Sequence, residues 1–304
     1  MLRTRIGGWP AYLNNNIIAQ AEFRHQRYII QNSRSGRGWI ILAVVMLLPA
    51  IMTSFALTAL AISGQSVAPI LGIADDRPFG YLLAVVLTRF TPVTMGLMLL
   101  ITMNIAAYIV IMLVTVALSA NSITREKQKG TWEVLLLTNM DASRLVLGKW
   151  WASLRAMAGD HIMLAILRMG IFSLVIAETH DRLPVPLLAL PAGLFYTVLM
   201  ILFVLAFTAL DAAFTVALGI ALPLSTLPRP IMVALVLGGR FTGIVLNIIL
   251  GMLLAAMMLE DGPFILLAAV ILLIGLLLNW AAIRAAQAFA VRGQVSAPQE
   301  ESAS

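Results

Sequence analysis

The sequence predicts an all-α integral membrane protein with six transmembrane helices, an N-terminal interfacial helix and a short cytoplasmic helix between spans two and three. Three observations predict this fold. The 304 residues are 61% hydrophobic and only 11% charged, whereas soluble domains carry about 25% charged residues. Five long runs, 39–62, 90–120, 183–210, 241–259 and 262–283, contain no Asp, Glu, Lys or Arg, and a helix needs about 20 apolar residues to cross the hydrocarbon core. The charges that do occur segregate by sign between alternate connections. A soluble chain this apolar has too little polar surface to cover itself, so lipid must cover the rest.

The expected spans are about 39–62, 93–119, 152–178, 187–222, 231–259 and 264–288. The third is the least apolar, because Asp160, His161 and Arg168 interrupt it. The first apolar run begins at Trp39, behind a long basic segment, and is too long for a signal-peptide core, so uncleaved targeting is expected. Residues 1–38 then form a cytoplasmic N-terminus, 39–293 the transmembrane domain with its cytoplasmic loop at 121–150, and 294–304 a disordered, small and polar tail.

Loop charge sets the orientation. Arg3, Arg5, Arg24, Arg27, Arg34 and Arg37 precede the first span; Arg125, Lys127, Lys129, Arg144, Lys149 and Arg155 lie in or next to the middle loop; Arg229, Arg284 and Arg292 follow. The intervening loops hold Asp75, Asp76, Glu178, Asp181, Glu260 and Asp261, with Arg77 and Arg182 as their cations. The positive-inside rule places both termini and the middle loop in the cytoplasm, as expected for a multi-pass protein of the inner (plasma) membrane, and six spans satisfy it. The net charge of +6 reads as topogenic charge rather than as a nucleic-acid surface. Arg240, near the start of span five, is expected to snorkel to the inner interface.

Before the first span, Gln20, Arg24, Arg27 and Gln31 fall on one helical stripe, with Ile17, Ala21 and Tyr28 beside it. This pattern predicts a helix lying in the inner interface, with Arg24, Arg27 and Tyr28 as its contacts. The middle loop is more informative. A charged run at 124–129 leads to a short helix with Trp132, Leu135 and Leu136 at i, i+3, i+4 spacing. Residues 134–137 are apolar all round, so water on one face does not suit them and a protein groove is required. Thr138 and Asn139 break this helix, and Asp141 is a good N-cap for a second one running into span three. Such an element either docks a partner or packs on its own bundle.

The loop resembles the signature region of ABC transporter permeases of the type-two exporter family. Arg125, Glu126, Gly130, Thr131, Glu133, Leu135, Leu136, Leu137, Thr138, Asp141, Gly148 and Lys149 follow that pattern in order, with Trp132 replacing a more usual leucine and Asn139 standing where proline is common. The resemblance covers about 30 residues, and the six-span layout extends it loosely. It implies a permease subunit whose N-terminal helix is an elbow at the inner interface, whose loop between spans two and three carries a coupling helix, and which pairs with a second permease chain, identical or related, and with two cytoplasmic ABC ATPase subunits. It implies that ATP and magnesium sit on the partner ATPase, that no cofactor sits on this chain, and that Trp132, Glu133, Leu135 and Leu136 meet the ATPase while Glu126 and Lys129 fix the loop.

The chain is not expected to be an enzyme. It contains no Gly-x-x-x-x-Gly-Lys-Ser/Thr, His-Glu-x-x-His or Gly-x-Ser-x-Gly. With no cysteine and three scattered histidines it offers no thiolate or metal-ligand pattern. Asp160, His161, Arg168 and Asp211 fall in or near spans, where charge is costly and usually faces protein or a water-filled path. They line a translocation path or gate, or form a structural ion pair. In the first case an ion-coupled secondary transporter or channel competes with the exporter; a non-transporting membrane scaffold is the remaining alternative.

Overall fold

The computed structural model describes residues 16–33, 37–71, 91–137, 141–179, 191–225 and 264–295, with single positions and a short stretch between 228 and 245. Eight helices are present among the described residues: α1 (Ile17–Ser33), α2 (Arg37–Ser63), α3 (Pro92–Gln128), α4 (Thr131–Leu137), α5 (Ala142–Ala156), α6 (Ala158–Thr179), α7 (Ala192–Leu224) and α8 (Phe264–Val295). Five of them, α2, α3, α6, α7 and α8, contain stretches long and apolar enough to cross a membrane. This is the make-up of a multi-pass membrane protein. The expected span at 231–259 lies largely outside the described residues; within it, residues 236–242 are helical. Thr138 also lies outside them, as do residues 296–304.

Lengths explain the architecture. At about 1.5 Å per residue, the 37 residues of α3 and the 33 of α7 measure roughly 50–55 Å, well beyond a hydrocarbon core about 30 Å thick. Both helices therefore overhang the membrane, and they do so at the same end, where Arg125 and Lys127 close α3. On the overhang α4 and α5 pack against α3, α5 also packs against α7 and α8, and α1 packs against α5. We call this the basic end. At the opposite end the capping box of Thr91 and Thr94 starts α3. There too the Glu178 carboxylate accepts from the Val67 N–H at 2.6 Å and the Ala68 N–H at 3.2 Å, which ties the turn after α2 to the end of α6.

The predicted helix running from Asp141 into the third span is interrupted. Asp141 caps α5 as expected, its Oδ1 accepting from Ser143 N at 2.9 Å. The helix then ends at Met157, and α6 starts at Ala158. Gly159 lowers the helix preference at this point. The break leaves few orphan groups, since the Met157 carbonyl accepts from both Asp160 N and His161 N. It lets α5 lie across the overhang while α6 enters the bundle. The last helix is longer than the expected span, running on to Val295.

Small residues set the closest approaches, as they do in membrane helix pairs. At Gly170 of α6 an added Cβ would lie 2.6 Å from Ser54 Cα of α2, and at Gly219 of α7 it would lie 2.7 Å from Ser119 Cβ of α3. Beside the first contact, the Thr58 and Ser173 hydroxyls hydrogen-bond across the same pair at 3.0 Å. Gly170→Ala is expected to push α2 from α6 and cost about 1–3 kcal/mol as an overpacking substitution. Gly159→Ala, with nothing within 4 Å of the new carbon, is the control without a clash, expected to leave stability unchanged or raise it by up to about 1 kcal/mol through helix preference. Thermal unfolding in detergent checks this: equal melting temperatures for the two variants would refute the contact.

Candidate functional site

Two polar constellations stand out, one at the basic end and one inside the bundle. The first is built around Lys149 of α5, which is only 1% exposed. Its ammonium donates to Glu22 Oε2 of α1 at 3.1 Å, to the Ser122 carbonyl of α3 at 3.0 Å and to Glu126 Oε1 of α3 at 3.3 Å. Arg125 pairs with Glu22 at 2.9 Å and with Glu126 at 3.5 Å. Two carboxylates thus face two cations, and the group is neutral as a whole. The Glu22 carboxylate also accepts from Gln26 at 3.1 Å, and Gln26 donates onward to Ser153 Oγ at 2.8 Å. Buried charge is tolerated only where pairing is this complete.

This network positions α4. Glu126 Oε2 accepts from the Thr131 hydroxyl at 2.6 Å, across a turn in which Gly130 takes a φ of +67°. That left-handed geometry suits glycine, which has no Cβ to clash. Trp132 then drops into an apolar cluster with Ile123, Leu145, Val216, Ile220 and Leu224. Its expected role changes accordingly: at 3% exposure the indole has no surface to offer a partner and serves as the anchor of α4. Leu135 packs partly against the same cluster. Val134 points away and is 57% exposed. The side chains of Glu133 and Leu136 lie outside the described residues. Lys129 is exposed, and its N–H caps the end of α3.

Helix α1 presents a different buried face from the one its sequence suggests. Asn16, Ala19, Glu22 and Gln26 form the buried stripe, against α5. Asn16 Nδ2 donates to the Arg144 carbonyl at 3.3 Å and lies where a Cβ on Gly148 would fall, 2.7 Å away. Ile17 and Tyr28 are exposed, as are Arg24 and Arg27. Arg155 of α5 stacks over the Phe23 ring at 4.7 Å.

The second constellation lies within the bundle. Asp211 of α7 pairs with Arg240 at 2.8 Å and with Arg168 of α6 at 3.6 Å. Arg240 also donates to the Tyr108 hydroxyl of α3 at 2.9 Å, and Arg168 donates to Thr208 at 3.0 Å. The Arg168 guanidinium sits between the Tyr108 and Phe207 rings, 5.0 and 5.3 Å from their centroids, a cation–π arrangement that spreads the charge. Arg240 therefore does not snorkel: it is 3% exposed, because the Asp211 carboxylate offers a stronger partner than the interface. Of the other candidates, His161 turns to Thr115 of α3 at 3.4 Å, and Asp160 sits in the first turn of α6, where the helix dipole favours a carboxylate. No local pattern in the sequence pairs Tyr108 or Arg240 with Asp211. The charged residues of the cluster stand 43 and 29 positions from Asp211 along the chain, in separate apolar segments, and no spacing rule links them.

No family model, curated protein or solved structure matches the chain. The resemblance of residues 124–149 to exporter permeases rests on those residues alone.

Lys149→Met leaves two carboxylates against one guanidinium at the basic end. Removing one partner of such a buried pair costs about 3–5 kcal/mol. We expect a lower melting temperature and faster tryptic cleavage at Arg24 and Arg27 as α1 detaches. Adding Glu22→Gln rebalances the charge and is expected to recover part of the loss. Unchanged cleavage in the single variant would show that Lys149 does not hold α1.

Proposed function

We propose that this chain is the membrane-spanning permease subunit of an ATP-driven ABC exporter, working with a second permease chain and two separate ATPase subunits in the inner (plasma) membrane. The observation that carries the reading is α4: a seven-residue helix held rigidly on the overhang by the Glu126–Thr131 bond and the Trp132 anchor, with Val134 turned outward. A partner's groove would cover that side chain, as helix-in-groove recognition does.

In this reading ATP and magnesium bind the partner, whose closure pushes α4. The push passes through Trp132 to α3, α5 and α7, which share its apolar cluster. Rigid elements transmit such displacements without dissipating them in side-chain motion. Further along α3 and α7 lie Tyr108 and Asp211, so a shift of the overhang reaches the pairing of Asp211 with Arg168 and Arg240. Exchange of those pairs would accompany the switch of access between the two sides. The elbow α1 keeps Ile17 and Tyr28 exposed at the level of the inner interface, where amphipathic contacts with lipid are favourable.

A second reading is favoured by the same buried pairs: charge placed in a bundle is also how ion-coupled transporters bind their ions. The two separate cleanly. Co-purification with an ATPase subunit and ATP-dependent flux support the exporter, and ATP-independent flux in proteoliposomes supports the alternative. Val134→Asp is expected to abolish ATPase-driven transport while leaving the melting temperature unchanged, since the side chain touches no core. Full transport by that variant would remove α4 from the coupling route.

A further inference from the structure

We propose that the Asp211 cluster and the cavity beside it bind one anionic phospholipid, with its phosphate at the arginines and its acyl chains in the cavity. The charge count is the first argument. Among the described residues, Arg168 and Arg240 share Asp211 as their carboxylate partner, so one negative charge faces two positive ones and one positive charge is unbalanced. The rings of Tyr108, Phe207 and Phe214 disperse it, and two hydroxyls accept hydrogen bonds from it. Among the described residues Arg240 Nε nevertheless finds no acceptor, although it is buried. Unmatched charge and an unmatched donor in hydrocarbon are both costly. A phosphodiester supplies the missing charge and the missing acceptor together, and guanidinium is the side chain best shaped to hold it.

The cavity supplies the second argument. It measures about 480 Å³, is partly open, and lies between α6, α7 and α8, walled by Phe172, Ile176, Tyr196, Phe203, Ala268 and Leu272 among others. Its lining is almost wholly apolar, which suits hydrocarbon and excludes a free phosphate. The two features adjoin. Phe203 of the cavity wall stacks on Phe207 with centroids 5.9 Å apart, and Phe207 carries the Arg168 guanidinium. Phe172 follows Arg168 by one turn of α6. From Arg168 to Ile176 the helix rises about 12 Å, so a headgroup at the arginine lets its chains enter the cavity directly.

The geometry also fixes the lipid's direction. The cluster lies on the basic-end side of the cavity, so the headgroup points toward the basic end and the chains point away. Arg168 stands about midway along α6, so with the basic end in the cytoplasm the phosphate lies at mid-depth and the chains occupy the half of the bundle away from the cytoplasm. As a ligand the lipid does not depend on the permease reading; as the translocated substrate it does.

The test uses the purified full chain in nonionic detergent and native mass spectrometry, with phosphatidylglycerol and phosphatidylcholine of identical acyl chains as probes. Phosphatidylglycerol is expected to bind about tenfold more tightly, because both lipids offer the phosphodiester but choline brings back the positive charge that the phosphate cancels. Arg168→Gln is expected to abolish that preference. Ala268→Phe, which fills the cavity and leaves the arginines in place, is expected to weaken both lipids. Millimolar inorganic phosphate is expected not to displace either one. Equal affinity for the two lipids, or a preference that survives Arg168→Gln in a folded variant, would overturn the proposal. So would binding unaffected by Ala268→Phe, which decides the matter if the arginine variant does not fold. No ATPase enters this experiment, so its failure leaves the permease reading standing.

Discussion

The ammonium of Lys149 is removed from water at the point where α1, α3 and α5 meet, and the order of the basic end depends on how it is compensated. It touches a carboxylate from α1, a carboxylate from α3 and a backbone carbonyl of α3. Arg125 binds the same two carboxylates from the other side. Because the four charges balance, none gains by withdrawing into solvent, and removing any one leaves an uncompensated charge in a site with little water. The cost of desolvating four groups is a poor bargain for stability alone. Its return is geometric, since it fixes three segments that apolar packing would leave free to slide.

The overhang of α3 and α7 makes this arrangement necessary. Once past the membrane, these two helices lose the lipid that covers them and need protein instead. The cluster of Ile123, Val216, Ile220 and Leu224 is covered by Trp132, Leu145 and Val146 of the shorter helices, with Ala286 and Ala290 of α8 closing one side. Lys127 reaches across to the Pro223 carbonyl at 2.7 Å, and Trp150 donates to the Ala213 carbonyl at 3.0 Å. The α4 helix, too short to be stable alone, inherits its order from these neighbours. The pocketed arginines deeper in the bundle depend on the same helices, because α3 and α7 supply Tyr108, Thr208 and Asp211.

Much of this was readable from the residues, and the unread part has a common cause. Apolar runs longer than a bilayer needs and charge segregated between loops both follow from solvent exposure, a property of single segments. They gave the membrane class and most of the long helices. The Asp141 cap is likewise local and was recognisable. The buried stripe of α1 was not, because hydrophobic periodicity finds apolar faces, and this face is Asn16, Glu22 and Gln26. The spacing of Trp132, Leu135 and Leu136 announced a helix with something to bury but was silent on whose groove would bury it; the indole chose its own bundle. Arg240 shows the same limit. Its place near the start of an apolar run suggested the interface, and only the fold brings Asp211 within 2.8 Å. Tertiary pairing between charges in different spans leaves no trace in local pattern.

Lys149 ties α1, α4 and α5 into one rigid body, reaching α1 through Glu22 and α4 through Glu126 and Thr131. The chain has no cysteine, so cysteines introduced at Arg24 and Val134, both exposed, take spin labels uniquely. Double electron–electron resonance between them in nanodiscs measures this rigidity directly. A single narrow distance distribution in the wild-type background, broadening when Lys149→Met is added, is the predicted result; a broad distribution already present with Lys149 intact, or one indifferent to its removal, would contradict it.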